Sequence, residues 1–373
     1  MKVLFWIHHW RQYLGGTETF ASILLPHLRN QGHDVTVIAS HGDVPLPDVI
    51  DHLGIPIHRF HFYRALQRND IDEIGRIKTA ISRIKREFAP DLIHMNSVDH
   101  MYIFHHLTAS QSFIPYLITA HGRIPERLAK GALIRQLFQK ANWTVAVSNW
   151  LLTDLRKLWP EITPCSSHIY TGIPAPRVEP ESLSQQLLRL LCIGRLIPVK
   201  QFDVAIRAFE RVRSRVKNIR LTIAGDGPQR EELEQLSIDL GIDDAVDFIG
   251  WVQPDNVPEV INTSTIVLMP SAEGETFGLV AIEAALMCRP VIASRVSGLV
   301  ESVSDNETGI LVEPGSVEAL SEAIVALSHD LEKCARLGQQ ARKRALEQFN
   351  VQQSVDAYTA IYQMIANKSA RVG

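Results

Sequence analysis

Two carboxylates, Glu275 and Glu283, stand with seven residues between them at the end of Pro270-Ser271-Ala272-Glu273-Gly274-Glu275-Thr276-Phe277-Gly278-Leu279. The apolar run that follows predicts a helix over Leu279–Leu286. Eight positions are slightly over two helical turns, so the spacing predicts both acids near one face, one at the loop-to-helix junction and the other about 12 Å further along the axis. Such a pair suits an extended ligand with hydroxyls at both ends. The amides of Phe277, Gly278 and Leu279 would lie between the acids, where a helix N-terminus presents positive potential to phosphate. Glutamates at this spacing also occur on solvated helices. The neighbours Val280, Ile282, Ala284, Ala285 and Leu286 argue for a mostly buried helix, in which a glutamate needs a partner.

Two cations, Arg195 and Lys200, follow an apolar stretch ending at Ile193. At a strand end they could clamp a diphosphate, Arg as a fork and Lys as a point charge; the plainer reading is two solvated surface cations. Gly225-Asp226-Gly227-Pro228 is a turn after another strand, with a lining role as the alternative. Gly15-Gly16-Thr17-Glu18 precedes a helical stretch, where glycines admit a ligand to the backbone or Thr17 or Glu18 merely caps the helix. It is not the six-residue dinucleotide fingerprint, which argues against a dehydrogenase.

These motifs need strands that end beside them. Apolar runs at Val3–Ile7, Asp34–Ala39, Asp91–His94, Tyr116–Thr119 and Trp143–Val147 alternate with helical patterns at Thr17–Gln31 and Ile71–Phe88. A Pro-bearing polar segment, Thr171–Gln186, interrupts the pattern and is a hinge candidate. Alternation resumes with strands at Leu187–Ile193, Arg220–Ala224, Ala245–Ile249, Ile266–Met269 and Pro290–Ala293. The expectation is α/β, with residues 1–175 as one parallel-sheet domain, 176–186 as linker, 187–349 as a second domain and 350–368 as a final helix packing back on the first. At 373 residues, 46% hydrophobic and 21% charged, the chain has the length for two cores and no run that could span a bilayer.

Residues 1–180 carry 19 basic against 15 acidic side chains and the remainder 19 against 26. No basic stripe dense enough for nucleic acid results. Cys165, Cys192, Cys288 and Cys334 lack metal or redox spacing and read as reduced thiols of a cytoplasmic protein. His8-His9, His100 and His105-His106 invite a metal reading, but no pair has the i, i+4 pattern with its Glu, so no metal is expected.

In this order, with Arg289-Pro290-Val291-Ile292-Ala293-Ser294 and Thr308-Gly309-Ile310-Leu311-Val312, the motifs resemble glycosyltransferase family 4 over nearly the whole chain. The resemblance implies a GT-B fold, two Rossmann-like domains facing each other across a donor cleft. It implies transfer of a sugar from a nucleotide-diphosphate sugar to an acceptor hydroxyl, with retained configuration and an α-glycosidic product, and without cofactor or metal. Arg195 and Lys200 would hold the diphosphate, Glu275 the transferred sugar, Glu283 the ribose, and the Phe277, Gly278 and Leu279 amides the phosphate. His121, in Thr119-Ala120-His121-Gly122, would face the donor sugar, and the Gly15-Gly16 loop would close over donor and acceptor. An epimerase of the same fold and a non-catalytic nucleotide-sugar-binding protein are the rival readings.

The sequence departs from the family where Cys288 replaces a frequent Gly, where Thr171-Gly172-Ile173-Pro174 replaces Asn-Gly-x-Asp, and where Glu273 rivals Glu275 as the first acid. His8–Tyr13 is read as acceptor-facing. The acceptor is a glycan, a lipid-linked molecule or a small molecule. Arg123, Arg127 and Lys130, with Ile134, Leu137 and Phe138 continuing their helical stripe, suggest weak peripheral contact with the inner face of a membrane.

Overall fold

The computed structural model describes all residues except 11–14, 43–44, 110–113, 185 and 371–373. The chain forms two compact units, Met1–Gly172 with Val351–Gly373, and Ile173–Asn350.

The first unit holds Lys2–Ile7 (β1), Asp34–Ser40 (β2), Val49–His52 (β3), Ile55–Phe60 (β4), Leu92–Met95 (β5), Tyr116–Ala120 (β6), Trp143–Ala146 (β7) and Ser166–His168 (β8). They make one sheet in the order β3-β4-β2-β1-β5-β6-β7-β8. Every pairing is parallel except β3 with β4. That hairpin turns through Leu53 and Gly54 at φ 53° and 74°, the two positive values a tight hairpin turn needs. The sequence lacks the usual Asn-Gly signal there, and alternation alone does not foretell β3 and β4.

The first helix, Gly16–Asn30 (α1), buries Phe20, Ala21, Leu24, Leu25 and Leu28, an i, i+4 stripe against the sheet. The final helix, Val351–Ala370, belongs to the same unit and buries Val355, Tyr358, Tyr362 and Ile365 in the same core. Its Tyr362 hydroxyl lies 2.6 Å from His94 Nδ1, and His94 Nε2 lies 2.8 Å from Thr119 Oγ1. Thr119 Oγ1 donates to Tyr358 Oη at 3.2 Å. This buried polar chain ties the end of the sequence to β5 and β6.

The second unit holds Leu188–Ile193 (β9), Ile219–Ala224 (β10), Val246–Gly250 (β11), Ile266–Met269 (β12), Val291–Ser294 (β13) and Gly309–Val312 (β14). The sheet is wholly parallel, in the order β11-β10-β9-β12-β13-β14. The segment read as a linker lies within this unit. Glu181 N–H donates to Asn262 Oδ1 at 2.9 Å, and buried Arg289 donates to the Glu181 carbonyl at 2.9 Å and to the Asn262 carbonyl at 2.7 Å. Glu181, in that segment, is thereby fastened to the second unit.

Cys288 stands at φ 54°, in the left-handed region. The frequent Gly of the family at this position thus has a backbone reason.

Candidate active site

In the second unit the polar residues gather at the carboxyl ends of β9 and β12, where open α/β sheets take their ligands. Gly194 leaves β9 at φ 147°. The Gly225-Asp226-Gly227 turn lies directly on it: a Cβ on Gly225 would stand 1.8 Å from the Gly194 carbonyl oxygen, and one on Gly227 2.5 Å from that of Leu196. Leu196 N–H donates to the Asp226 carbonyl at 2.9 Å. The Gly-Asp-Gly motif is thus a brace for the Gly194–Lys200 loop.

Lys200 Nζ donates to Glu275 Oε2, and Ser271 Oγ donates to the same oxygen at 3.3 Å. The loop after β12 is pinned on both sides. Ala272 N–H donates to the Val199 carbonyl at 2.8 Å, Gly274 N–H to Ser297 Oγ at 3.1 Å, and Gly298 N–H to the Glu275 carbonyl at 3.0 Å. Gly298 admits this approach because any Cβ there would lie 2.0 Å from the Thr276 carbonyl oxygen. Glu273 is exposed, whereas Glu275 is mostly shielded and faces Lys200.

The two acids do not share one continuous helical face. The helix runs over Leu279–Leu286, and Gly278 precedes it in the left-handed conformation at φ 80°. Glu275 therefore sits on the loop, and only Glu283 is helical. Gly278 takes this conformation where a Cβ would lie 2.4 Å from Leu299 Cδ2. Desolvation pushes the half-buried Glu283 carboxyl up to about 7, and Lys200 opposes the shift. Arg195 is exposed on the loop that carries Lys200. Phe277 is buried and its ring meets Phe349 edge-on at 5.5 Å.

In the first unit the residues following β1, β5 and β6 are His8, Asn96 and His121, on neighbouring strands. His121 Nε2 lies 2.8 Å from Asn96 Oδ1, while Asn96 Nδ2 donates to the Thr17 carbonyl at 3.2 Å. That second bond fixes the amide orientation, so His121 Nε2 carries the proton. Desolvation pushes His121 down to about 3, leaving it neutral at ordinary pH. Gly15 caps α1, and its N–H donates to Glu18 Oε2 at 3.0 Å; Gly16 begins the helix. Of the stretch His8–Tyr13, residues 11–13 lie outside the described residues.

Asp99 is a polar residue the spacing did not single out. It accepts from Ser97 Oγ at 2.9 Å and pairs with His8 Nδ1 at 2.8 Å. Only the adjacency of β1 and β5 brings His8 and Asp99 together.

The stripe read as membrane-facing is not one helix. Glu126–Ala129 ends at Lys130, and a second helix, Ala132–Lys140, starts after Gly131. Ile134, Leu137 and Phe138 are buried. Arg123 pairs with Asp154 at 3.2 Å and Lys130 with Glu126 at 2.8 Å, so two of the three cations are matched by acids. No described helix is long and apolar enough to cross a membrane.

Two parallel-sheet α/β units, each with its polar residues at the strand carboxyl ends, define the GT-B class. Residues 14–176 match the profile described as Glycosyltransferase Family 4, and residues 179–344 match that of Glycosyl transferases group 1. The chain belongs to this glycosyltransferase family. It is 34% identical over 173 residues to N-acetyl-alpha-D-glucosaminyl L-malate synthase of Bacillus anthracis, covering 46% of this chain and 44% of that protein. The chain thus spans about half the length of the curated relatives it first matches. In fold it is similar to sucrose-phosphate synthase of Thermosynechococcus elongatus, with a TM-score of 0.82 at 21% identity over 97% of this chain and 98% of that one. It is likewise similar to Anabaena HepE, solved with UDP and glucose, with a TM-score of 0.78 at 20% identity over 99% of both chains.

Proposed function

We propose that this protein is a retaining glycosyltransferase that moves a sugar from a nucleotide-diphosphate sugar to an acceptor hydroxyl, forming an α-glycosidic bond. The observation that carries the reading is the Lys200–Glu275 pair beside Glu283 at the carboxyl ends of β9 and β12. A cation and two acids at that edge suit a ligand that is anionic in its middle and hydroxylated at both ends.

In the proposed roles Arg195 and Lys200 hold the diphosphate with the amides of Phe277, Gly278 and Leu279. Glu275 orients the transferred sugar and Glu283 accepts from the ribose. As the bond from C1 to the diphosphate oxygen breaks, negative charge grows on the leaving group. Lys200, Arg195 and the helix N-terminus stabilise that charge in place of a metal, and losing one such group costs about 3 kcal/mol in the barrier. The acceptor oxygen bonds to C1 on the face the diphosphate leaves, and the leaving phosphate takes its proton, so no enzymic general base is required. His121, neutral and oriented by Asn96, contacts the sugar as a hydrogen-bonding group. Gly15 and Gly16 admit donor and acceptor to the backbone.

UDP is the first nucleotide to try, because similar folds have been solved with UDP and UDP-glucose. The test is incubation with a panel of nucleotide sugars and acceptors in excess EDTA, with the anomeric proton of the initial product read by NMR. An α-glycoside supports the proposal. An initial β product refutes retention, an epimerised donor with no acceptor product favours the epimerase, and binding without turnover leaves a nucleotide-sugar-binding protein.

A further inference from the structure

We propose that His8, Asp99 and His100 form a binding site for one divalent transition-metal ion of the Zn2+ type, apart from the donor-binding chemistry. One ligand atom from each residue lies within 4.8 Å of the others. His8 follows β1, and Asp99 and His100 precede the helix Met101–Ala109, a few residues beyond β5. β1 and β5 are paired neighbours, so the sheet itself brings the residues together.

The carboxylate is already oriented. Asp99 Oδ1 accepts from the Met101 N–H at 2.7 Å, and Oδ2 accepts from Ser97 Oγ at 2.9 Å. Hydrogen bonds of this kind hold metal-binding carboxylates in place. His8 Nδ1 stands 2.8 Å from Asp99 Oδ2, and the His8 and His100 rings meet edge-on with centroids 5.0 Å apart.

The His8–Asp99 hydrogen bond by itself explains two of the three groups. It leaves His100 Nε2, which is shielded from solvent and has no hydrogen-bond partner among the described residues. A buried polar nitrogen left so is costly, and a metal bond to it removes the cost. Zinc–ligand distances near 2 Å in a tetrahedron place ligand atoms about 3.3 Å apart. Small side-chain rotations bring atoms already within 4.8 Å to that spacing.

Two imidazoles and one carboxylate favour Zn2+, Co2+ or Ni2+ over Mg2+ or Ca2+, which prefer all-oxygen sites. Three protein ligands leave a fourth position open. The His8 side chain is 32% exposed, so an ion can enter from solvent. Histidine spacing along the chain missed this site because its middle ligand is an aspartate and its first ligand lies 91 positions earlier.

The experiment uses the full chain, free of any histidine tag and stripped of metal. Co2+ is titrated in, with visible ligand-field absorption and metal content as readouts. Zn2+ and Mg2+ are then tested as competitors. One Co2+ per chain, displaced by Zn2+ and not by Mg2+, is the expected result. His100→Gln and His8→Asn should each weaken binding by more than the roughly tenfold cost of losing an outer partner. His106→Gln, at an exposed histidine outside the cluster, should bind as the parent does. Thermal unfolding checks that each variant is folded. Absence of saturable one-to-one binding overturns the site, as does displacement by Mg2+ or parental affinity in both His100→Gln and His8→Asn. UDP affinity measured with and without Zn2+ should be the same, and this readout stands whether or not the chain transfers sugar.

Discussion

Lys200 Nζ donates to Glu275 Oε2 across 75 positions of sequence, with side chains only 19% and 14% exposed. The cation proposed for the diphosphate thus shares its charge with the acid proposed for the sugar. Replacing Glu275 by Gln frees that charge. Glu275→Gln should bind UDP several-fold more tightly than the parent and lose on the order of a hundredfold in kcat. Lys200→Ala should weaken UDP by roughly tenfold or more and uridine hardly at all. Isothermal titration with both ligands, beside steady-state kinetics, reads the split. Equal losses for UDP and uridine would remove Lys200 from the phosphates.

Glu283 carries a pH signature. Its carboxyl is raised from 4.5 to about 7, first by desolvation. Between those values the folded chain keeps a proton that the unfolded chain has lost. The linkage slope is therefore negative: stability falls as pH rises through the window and levels off above it. The loss attributable to this group is up to about 3 kcal/mol. Glu283→Gln should gain stability relative to the parent at pH 8 and gain little at pH 5, as urea unfolding would show. A difference that is the same at both pH values contradicts the assignment. The same variant should weaken UDP and uridine alike, since the proposed contact is to ribose.

Cys288 occupies a left-handed backbone at φ 54°. A side chain there costs roughly 1–2 kcal/mol that glycine avoids. Cys288→Gly should therefore raise the midpoint of thermal unfolding. Part of the gain is offset by the freer unfolded chain, leaving about 1 kcal/mol. An unchanged or lower midpoint would mean that the partly buried thiol contributes more packing than its backbone costs.

Tyr362 and His94 are both fully buried, and the tyrosine hydroxyl is the only described hydrogen-bond partner of His94 Nδ1. Tyr362→Phe keeps the ring packing and leaves that nitrogen unsatisfied. The expected cost is about 1–3 kcal/mol by chemical unfolding. Ending the chain at Asn350 exposes the apolar face that Val355, Tyr358, Tyr362 and Ile365 cover, and should yield aggregated protein. A truncated chain as soluble and stable as the parent would show that the final helix is dispensable to the first unit.

What the sequence determined by itself is local. Apolar runs place β1, β9 and β12 almost to the residue. The helices over Ile71–Phe88 and Leu279–Leu286 begin and end where their periodicity does, and Asp70 caps the first by accepting from Glu73 N–H. The order of motifs along the chain was enough to give the family. Tertiary structure alone decided how those motifs meet. Spacing put Glu275 at the loop-to-helix junction on one face with Glu283; the left-handed Gly278, where a Cβ would meet Leu299, breaks that face and leaves Glu275 on the loop beside Lys200. Gly225 looked like a turn and is a brace, because its missing Cβ lets Gly194 approach. His8 and Asp99 share no local pattern and meet only because β1 pairs with β5. Backbone preferences act over a few residues and are written in the residues themselves, whereas these contacts follow from strand order and close packing, which no short window of sequence contains.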